Sequence, residues 1–187
     1  ESRPVLLAAS MREGEEELLL DALHGLDVAS LLLVIVPRHP QRFEEVAALL
    51  KRRGIAFQRR SENREIVPDT RIILGDSMGE MFAYYAACDL AFIGGSLLPY
   101  GAQNLIEACA VGKPVIIGPS VYNFAEATRL AVEQGAAIQV RDARELAREA
   151  ARVLRDNALS EKMSQAALAF SRMHQGATER IMALLRF

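Results

Sequence analysis

The 187 residues carry 22 Lys+Arg against 24 Asp+Glu, a formal net charge of −2, with 51% hydrophobic and 25% charged residues. That composition excludes disordered and fibrous classes, and the near-neutral balance excludes broad electrostatic binding to nucleic acid while leaving room for a local phosphate site. The length suits one large domain with a substantial core.

Among the basic residues only Lys51, Lys113 and Lys162 are lysines. Both bidentate phosphate binding and a GC-rich genome produce such an arginine bias. Cys88 and Cys109 sit in apolar segments without metal-ligand spacing. No metal site is expected from them, and two buried free thiols fit a reducing, cytosolic compartment. No apolar stretch reaches the roughly 18 residues of a membrane span, and no signal peptide is visible. The chain opens Glu1-Ser-Arg-Pro without an initiator Met, and it is expected to be a piece of a longer protein.

In chain order, Val5–Ala9 has the pattern of a short buried strand and Gly14–His24 that of a helix. Leu31–Val36 is an uncharged apolar run ending at Pro37, as a strand covered on both faces should be. Phe43–Arg53 is a helix with Pro40 near its start and Gly54 past its end. Ile55–Arg59 is a third strand and Arg60–Thr70 a polar, irregular loop expected to be mobile. Arg71–Leu74 is a strand, Met78–Cys88 a helix with apolar Met78, Met81, Phe82 and Tyr85, and Leu90–Ile93 another buried strand. Asn104–Val111, Pro114–Ile117, Phe124–Glu133 and Ala136–Val140 continue as helix, strand, helix and strand. Arg141 to Phe187 is nearly all helical, split near Asn157 and Gly176, with its apolar residues expected in the core. Such alternation predicts one α/β domain, a doubly wound parallel sheet with right-handed crossovers and a helical C-terminal tail.

Ligands bind such sheets beyond the carboxyl ends of the strands, so five loops matter. In the first, Ser10 and Glu13 have capping-box spacing and Ser10 and Gly14 fall at the cleft. The second, Pro37-Arg38-His39-Pro40, is stiffened by two prolines and presents Arg38 either for a phosphate or for a surface ion pair, with His39 shaping the loop or carrying a proton. In Gly75-Asp76-Ser77-Met78-Gly79-Glu80, two glycines allow close backbone approach, or Asp76 or Ser77 caps the helix; neither a Walker A nor a GxGxxG pattern is present. The fourth, Gly94-Gly95-Ser96 to Gly101 and then Asn104-Leu105-Ile106-Glu107, leads into a helix. Its free N–H groups and dipole suit an anion, Glu107 suits ribose hydroxyls, and Asn104 with Glu107 also has capping-box spacing. Gly118-Pro119-Ser120 forms a turn and one wall of the cleft, with or without touching ligand, and Asn123 is a helix cap.

These pieces, in this order and spacing, resemble the 3-deoxy-D-manno-octulosonic acid (Kdo) transferases, a GT-B glycosyltransferase family. The matching segments are Pro37-Arg-His-Pro-Gln-Arg-Phe43, Gly75-Asp-Ser-Met-Gly-Glu80, Gly94-Gly-Ser-Leu-Leu-Pro99, Asn104-Leu-Ile-Glu107 and Gly118-Pro119 with Asn123-Phe124. The resemblance implies the Rossmann-like C-terminal, donor-binding half of such an enzyme over residues 1–187, with the N-terminal acceptor domain absent from this chain. The donor would be CMP-Kdo and the acceptor a lipid A precursor, at the cytoplasmic side of the bacterial inner membrane. Membrane contact would come only through the full-length protein, and neither nucleic acid nor a cofactor is expected.

CMP binding carries over to Pro37 and Arg38, to Met78, Gly79 and Glu80, and to Asn104, Leu105, Ile106 and Glu107, with the amide-rich turn at Ser96 completing the set. The family's catalytic base is a Glu in the N-terminal domain, so no catalytic residue is assigned here. The chain departs from the family at Met11-Arg12, where Thr-His is usual, and at Gly101-Ala102-Gln103-Asn104, where Gly-Gly-His-Asn is usual. Two other classes share these features: a GT-B enzyme using a UDP-sugar, either transferase or epimerase, and a non-catalytic nucleotide-binding module.

Overall fold

The computed structural model describes residues 3–24, 28 and 30–174. Its strands are β1 (Val5–Met11), β2 (Leu32–Pro37), β3 (Phe57–Arg59), β4 (Ile72–Leu74), β5 (Leu90–Ile93), β6 (Val115–Ile117) and β7 (Ala137–Gln139). The helices are α1 (Glu15–Leu23), α2 (Phe43–Arg52), α3 (Met81–Ala87), α4 (Ile106–Ala110), α5 (Ala125–Glu133), α6 (Ala143–Arg155) and α7 (Asn157–His174). The strands form one parallel sheet in the order β3-β4-β2-β1-β5-β6-β7.

The inner strands β2, β4, β5 and β6 are apolar throughout because their two faces feed two separate cores. Leu6, Ala8, Leu33, Ile35, Leu90, Phe92 and Ile116 point to one face, against Leu19 of α1, Val46 and Leu50 of α2, and Leu146 and Val153 of α6. Their neighbours Leu7, Ala9, Val34, Val36, Ala91, Ile93 and Ile117 point to the other, against Tyr85 of α3, Ala108 and Cys109 of α4, Ala131 of α5 and Phe170 of α7. A parallel sheet with helices on both faces is the architecture the alternation of elements predicts.

The order of strands reverses between β1 and β5: the chain builds outward from β1 through β2 to β3 and β4, then crosses to start again on the other side. The carboxyl ends of β1 and β5 therefore diverge into loops that leave a crevice between them. β1 runs two residues past Ala9 to Met11, which is buried in the first core, and Ser10 between them takes a left-handed conformation (φ 56°) where the register against β2 shifts.

Several local expectations change. Ser10 belongs to this irregular strand end, so no Ser10–Glu13 capping box forms, and α1 starts from Gly14 without a side-chain cap. The third helix begins at Met81, three residues late, and Met78 and Phe82 are 61% and 59% exposed rather than core. Asp76 does not cap it. Instead its carboxylate accepts the Ser61 N–H at 2.8 Å and the Ser61 hydroxyl at 2.7 Å, and pairs with Arg59. Asn123 does not cap α5 either, and its side-chain amide donates to the Tyr100 carbonyl.

The loop over Arg60–Thr70 is irregular as expected, apart from a 3₁₀ turn at Arg60–Glu62. It is tied to β3 through Gln58, which donates to the Glu65 carbonyl and accepts from the Val67 N–H and the Thr70 hydroxyl. The C-terminal helical region breaks at Asp156, between α6 and α7. Met163 is buried and Leu154 and Leu159 pack on the first core, whereas Leu168 and Met173 are 37% and 66% exposed. The expected second break near Gly176, and Ile181 and Leu184, lie outside the described residues.

Both cysteines are free and buried. Burial pushes each thiol up to about 12, so at pH 8 neither supplies the thiolate that reacts with disulfide reagents. Titration with such a reagent is expected to label no thiol in the folded chain and two after unfolding; rapid labelling of either in the folded chain would contradict this burial.

Candidate functional site

At the strand-order reversal, a cleft of about 330 Å³ is lined by Ser10, Arg38, Gly79, Met81, Phe82, Tyr85, Gln103, Asn104 and Glu107. Four separate loops meet here, one from each of β1, β2, β4 and β5. A hollow of about 420 Å³ lies elsewhere, lined mostly by aliphatic side chains such as Leu20, Leu23, Leu33 and Ile55. Another of about 610 Å³ runs between α1 and α6. The smaller cleft is the candidate because it combines the position favoured for ligands with converging charged and amide groups.

Arg38 is placed by its neighbours on both sides. Its N–H donates to the Met11 carbonyl at 2.9 Å, continuing the β1–β2 pairing of Pro37 with Met11. Its side-chain Nε donates to Gln103 Oε1 at 3.1 Å across the cleft. No carboxylate of the described residues forms an ion pair with Arg38, although Arg42, Arg59 and Arg60 around it are all paired. The guanidinium nitrogens thus remain available to an anion.

Opposite it, Asn104 organises the start of α4. Its Oδ1 accepts the Ile106 N–H at 3.0 Å and its Nδ2 donates to Glu107 Oε1 at 3.1 Å. The predicted capping box does not form: Leu105 stands at the N-cap position, Asn104 accepts from the Ile106 N–H two residues on, and Glu107 bonds to the Asn104 side-chain amide rather than to its backbone. One Glu107 oxygen is left to accept from a hydroxyl. α4 has only five residues, so its dipole is short and the charge of Arg38 dominates the cleft.

Of the ten predicted residues, Arg38, Gly79, Asn104 and Glu107 line this cleft. The other six do not line it. Pro37 ends β2. The exposed Met78 stands beside Gly79. Glu80 is held by Arg60 at 2.8 Å and by the Ser77 hydroxyl, and those two bonds hold its carboxyl below the usual range. Ser96 is fully buried: its hydroxyl donates to the Ile93 carbonyl and accepts the Gly118 N–H at 2.8 Å, locking the end of β5 to the end of β6. Leu105 belongs to the second core, and Ile106 packs at its edge.

The glycine pair after β5 has a structural cause. A Cβ on Gly94 would fall 2.5 Å from the Ser10 carbonyl oxygen and 2.7 Å from Met11 Cα, so β1 and β5 approach too closely for any side chain. Gly95 has φ +71°, and a Cβ there would meet Gln103 Nε2 at 3.1 Å and Arg12 Cγ at 3.4 Å. The loop folds back over this pair: the Gly95 carbonyl accepts from Ala102 N–H at 2.6 Å and the Gly94 carbonyl from Gln103 N–H at 3.0 Å. Those bonds hold Ala102 at φ 68°, a costly conformation for a residue with a Cβ.

Beneath the loop lies the residue that sequence reasoning missed most completely. Glu15, fully buried, accepts three backbone N–H bonds: Arg12 at 2.9 Å, Gly95 at 2.6 Å and Leu97 at 2.9 Å. Its acidic position at a helix start was readable, but its partners 80 and 82 residues away were not. Gln103 was missed too, because an amide side chain gives no signal until its partner is located. Next to Glu15, Glu16 is also buried, and burial raises its carboxyl above the usual range against the opposing pull of Arg42 at 3.3 Å.

Replacing Glu15 by Ala would leave three N–H groups of the loop without their acceptor. The expected loss is about 3–5 kcal/mol of folding stability, measured by urea unfolding; a loss under about 1 kcal/mol would show that the loop holds without it.

The family model for glycosyl transferases group 1 matches residues 17–170. The 3-deoxy-D-manno-octulosonic acid transferase of Bordetella pertussis is 45% identical over 98% of this chain and 44% of its own length. The protein of that name from Haemophilus influenzae is 40% identical over 100% of this chain and 44% of its own. The chain thus spans less than half the length of these relatives. A solved structure, the C-terminal CMP-Kdo binding domain of WaaA from Acinetobacter baumannii, superposes with a TM-score of 0.86 at 31% identity, covering 91% of this chain and 90% of that one.

Proposed function

Because the chain belongs to the glycosyl transferases group 1 and, within that group, to the Kdo transferases, we propose that its cleft holds the CMP moiety of CMP-Kdo and that it forms the donor-binding half of the enzyme. The observation that carries this reading is the pairing of an unneutralised Arg38, held by Gln103, with Glu107, held by Asn104, across one cleft. A guanidinium with no carboxylate partner answers a phosphate, and a carboxylate with one oxygen open answers ribose hydroxyls. Gly79 and the exposed ring of Phe82 line the side left for the nucleobase. The solved relative of high overlap, described as a CMP-Kdo binding domain, supports the same assignment.

In this reading Kdo leaves CMP as negative charge collects on the single phosphate. Arg38 stabilises that charge from a fixed position, so little reorganisation accompanies the step. The longer relatives contain as much chain again. That remaining part supplies the base and binds the acceptor, a lipid A precursor, and its closure over the cleft excludes water from the donor. The reaction is placed at the cytoplasmic side of the inner membrane, where a soluble nucleotide donor meets a lipid acceptor. No helix among the described residues is long and apolar enough to cross a membrane.

Calorimetric titration distinguishes this reading from a UDP-sugar enzyme. CMP is expected to bind more tightly than UMP or AMP, and Arg38→Ala to weaken CMP binding about 10- to 100-fold, the worth of a charge-assisted contact to phosphate. Equal or preferred UMP binding would overturn the CMP assignment, and unchanged CMP affinity in Arg38→Ala would remove Arg38 from the site.

A further inference from the structure

A second guanidinium, that of Arg12, reaches His39, the residue after Arg38, and no carboxylate among the described residues neutralises it. Arg12, just past the end of β1, lies over the ring of Tyr100 with its Cζ 4.6 Å from the ring centre. Its Nη1 is 3.4 Å from His39 Nε2. The ring beneath it is anchored in turn, since the Tyr100 hydroxyl donates to the Glu13 carbonyl at 3.2 Å. The Arg12 backbone is fixed by the N–H bond to Glu15. Among the described residues no carboxylate forms an ion pair with it, so an aromatic face and an imidazole orient the cation without cancelling its charge.

Gln103 connects this group to the cleft. Its Oε1 accepts from Arg38, while its Nε2 and Arg12 Cγ flank the same open side of Gly95. The Arg38 guanidinium therefore bonds one end of this amide, and the Arg12 side chain passes the other end beside Gly95 on its way to Tyr100 and His39. A nucleoside monophosphate presents one anionic group to such a pair, and Arg38 alone answers it. A 2-ulosonic acid joined to that phosphate presents two. Its carboxylate is carried on the same carbon that bears the phosphate oxygen, so the two anions are one atom apart in the skeleton.

Resting on the donor reading above, we infer that Arg12 binds the sugar carboxylate of the donor, so that Arg12 and Arg38 form a two-anion clamp selecting acidic sugars. A neutral sugar in the same position would leave the Arg12 charge partly desolvated and unanswered, which is the basis of the discrimination. His39 and Tyr100 act as positioning residues for Arg12.

The test compares CMP with CMP-Kdo by calorimetry on the 187-residue chain, in wild type, Arg12→Gln and Arg12→Lys. Wild type is expected to bind CMP-Kdo at least about tenfold more tightly than CMP. Arg12→Gln should abolish that advantage while leaving CMP affinity within about twofold, and Arg12→Lys should restore part of it. Three results overturn the clamp and leave the nucleotide site standing: no preference for CMP-Kdo in wild type, a preference that survives Arg12→Gln, or equal loss of both ligands in Arg12→Gln. Failure of wild type to bind CMP at all overturns the donor reading, and the clamp falls with it.

Discussion

A single buried carboxylate holds the functional end of this sheet together. β1 and β5 are neighbours whose loops run in different directions, and nothing in the sheet's own hydrogen bonding fixes those loops relative to each other. Glu15 does so by accepting N–H bonds from Arg12 on one loop and from Gly95 and Leu97 on the other. A carboxylate saturated by three backbone donors in a dry site is a strong and directional anchor. Through it the start of α1 sets where Arg12 lies, how the turn at Gly95 packs, and so where Gln103 meets Arg38.

The same anchor explains why strain collects nearby. Ser10 and Ala102 both adopt positive φ without being glycine. Each is held by bonds it does not make alone: Ser10 by the register shift of β1 against β2, Ala102 by the paired carbonyls of Gly94 and Gly95. Costs of this kind persist where the surroundings over-determine the backbone. Here they bring Gln103 and the end of β1 into the cleft, so the strained residues border the groups that would meet ligand.

The architecture was legible in the sequence because the apolar runs from Leu31 to Val36 and Leu90 to Ile93 can only be strands covered on both faces, and helical segments alternate with them. Four of the five loops expected at the candidate cleft meet there for the same reason, since a doubly wound sheet presents its carboxyl ends to ligand, but the loop after β6 does not line it. What individual side chains do in the cleft was less legible. Asn104 and Glu107 were picked out by local spacing although the cap itself does not form, whereas Ser96 is spent on joining β5 to β6, which spacing cannot reveal. Arg38 could be picked out as a stiffly held cation, but its partner Gln103 sits 65 residues away. Arg12 and the pair Ala102-Gln103, far apart in sequence, are neighbours in space around Gly95, and only the fold brings them together.

The central claim is that this cleft is a preformed nucleotide site whose phosphate end is Arg38 and whose ribose end is Glu107. A crystal structure of the chain with CMP bound tests it most directly. The account predicts the phosphate on the Arg38 guanidinium, the ribose hydroxyls on Glu107 and little movement of the loop over Gly95. Nucleotide bound in either larger hollow, or in this cleft with the phosphate remote from Arg38, would contradict it.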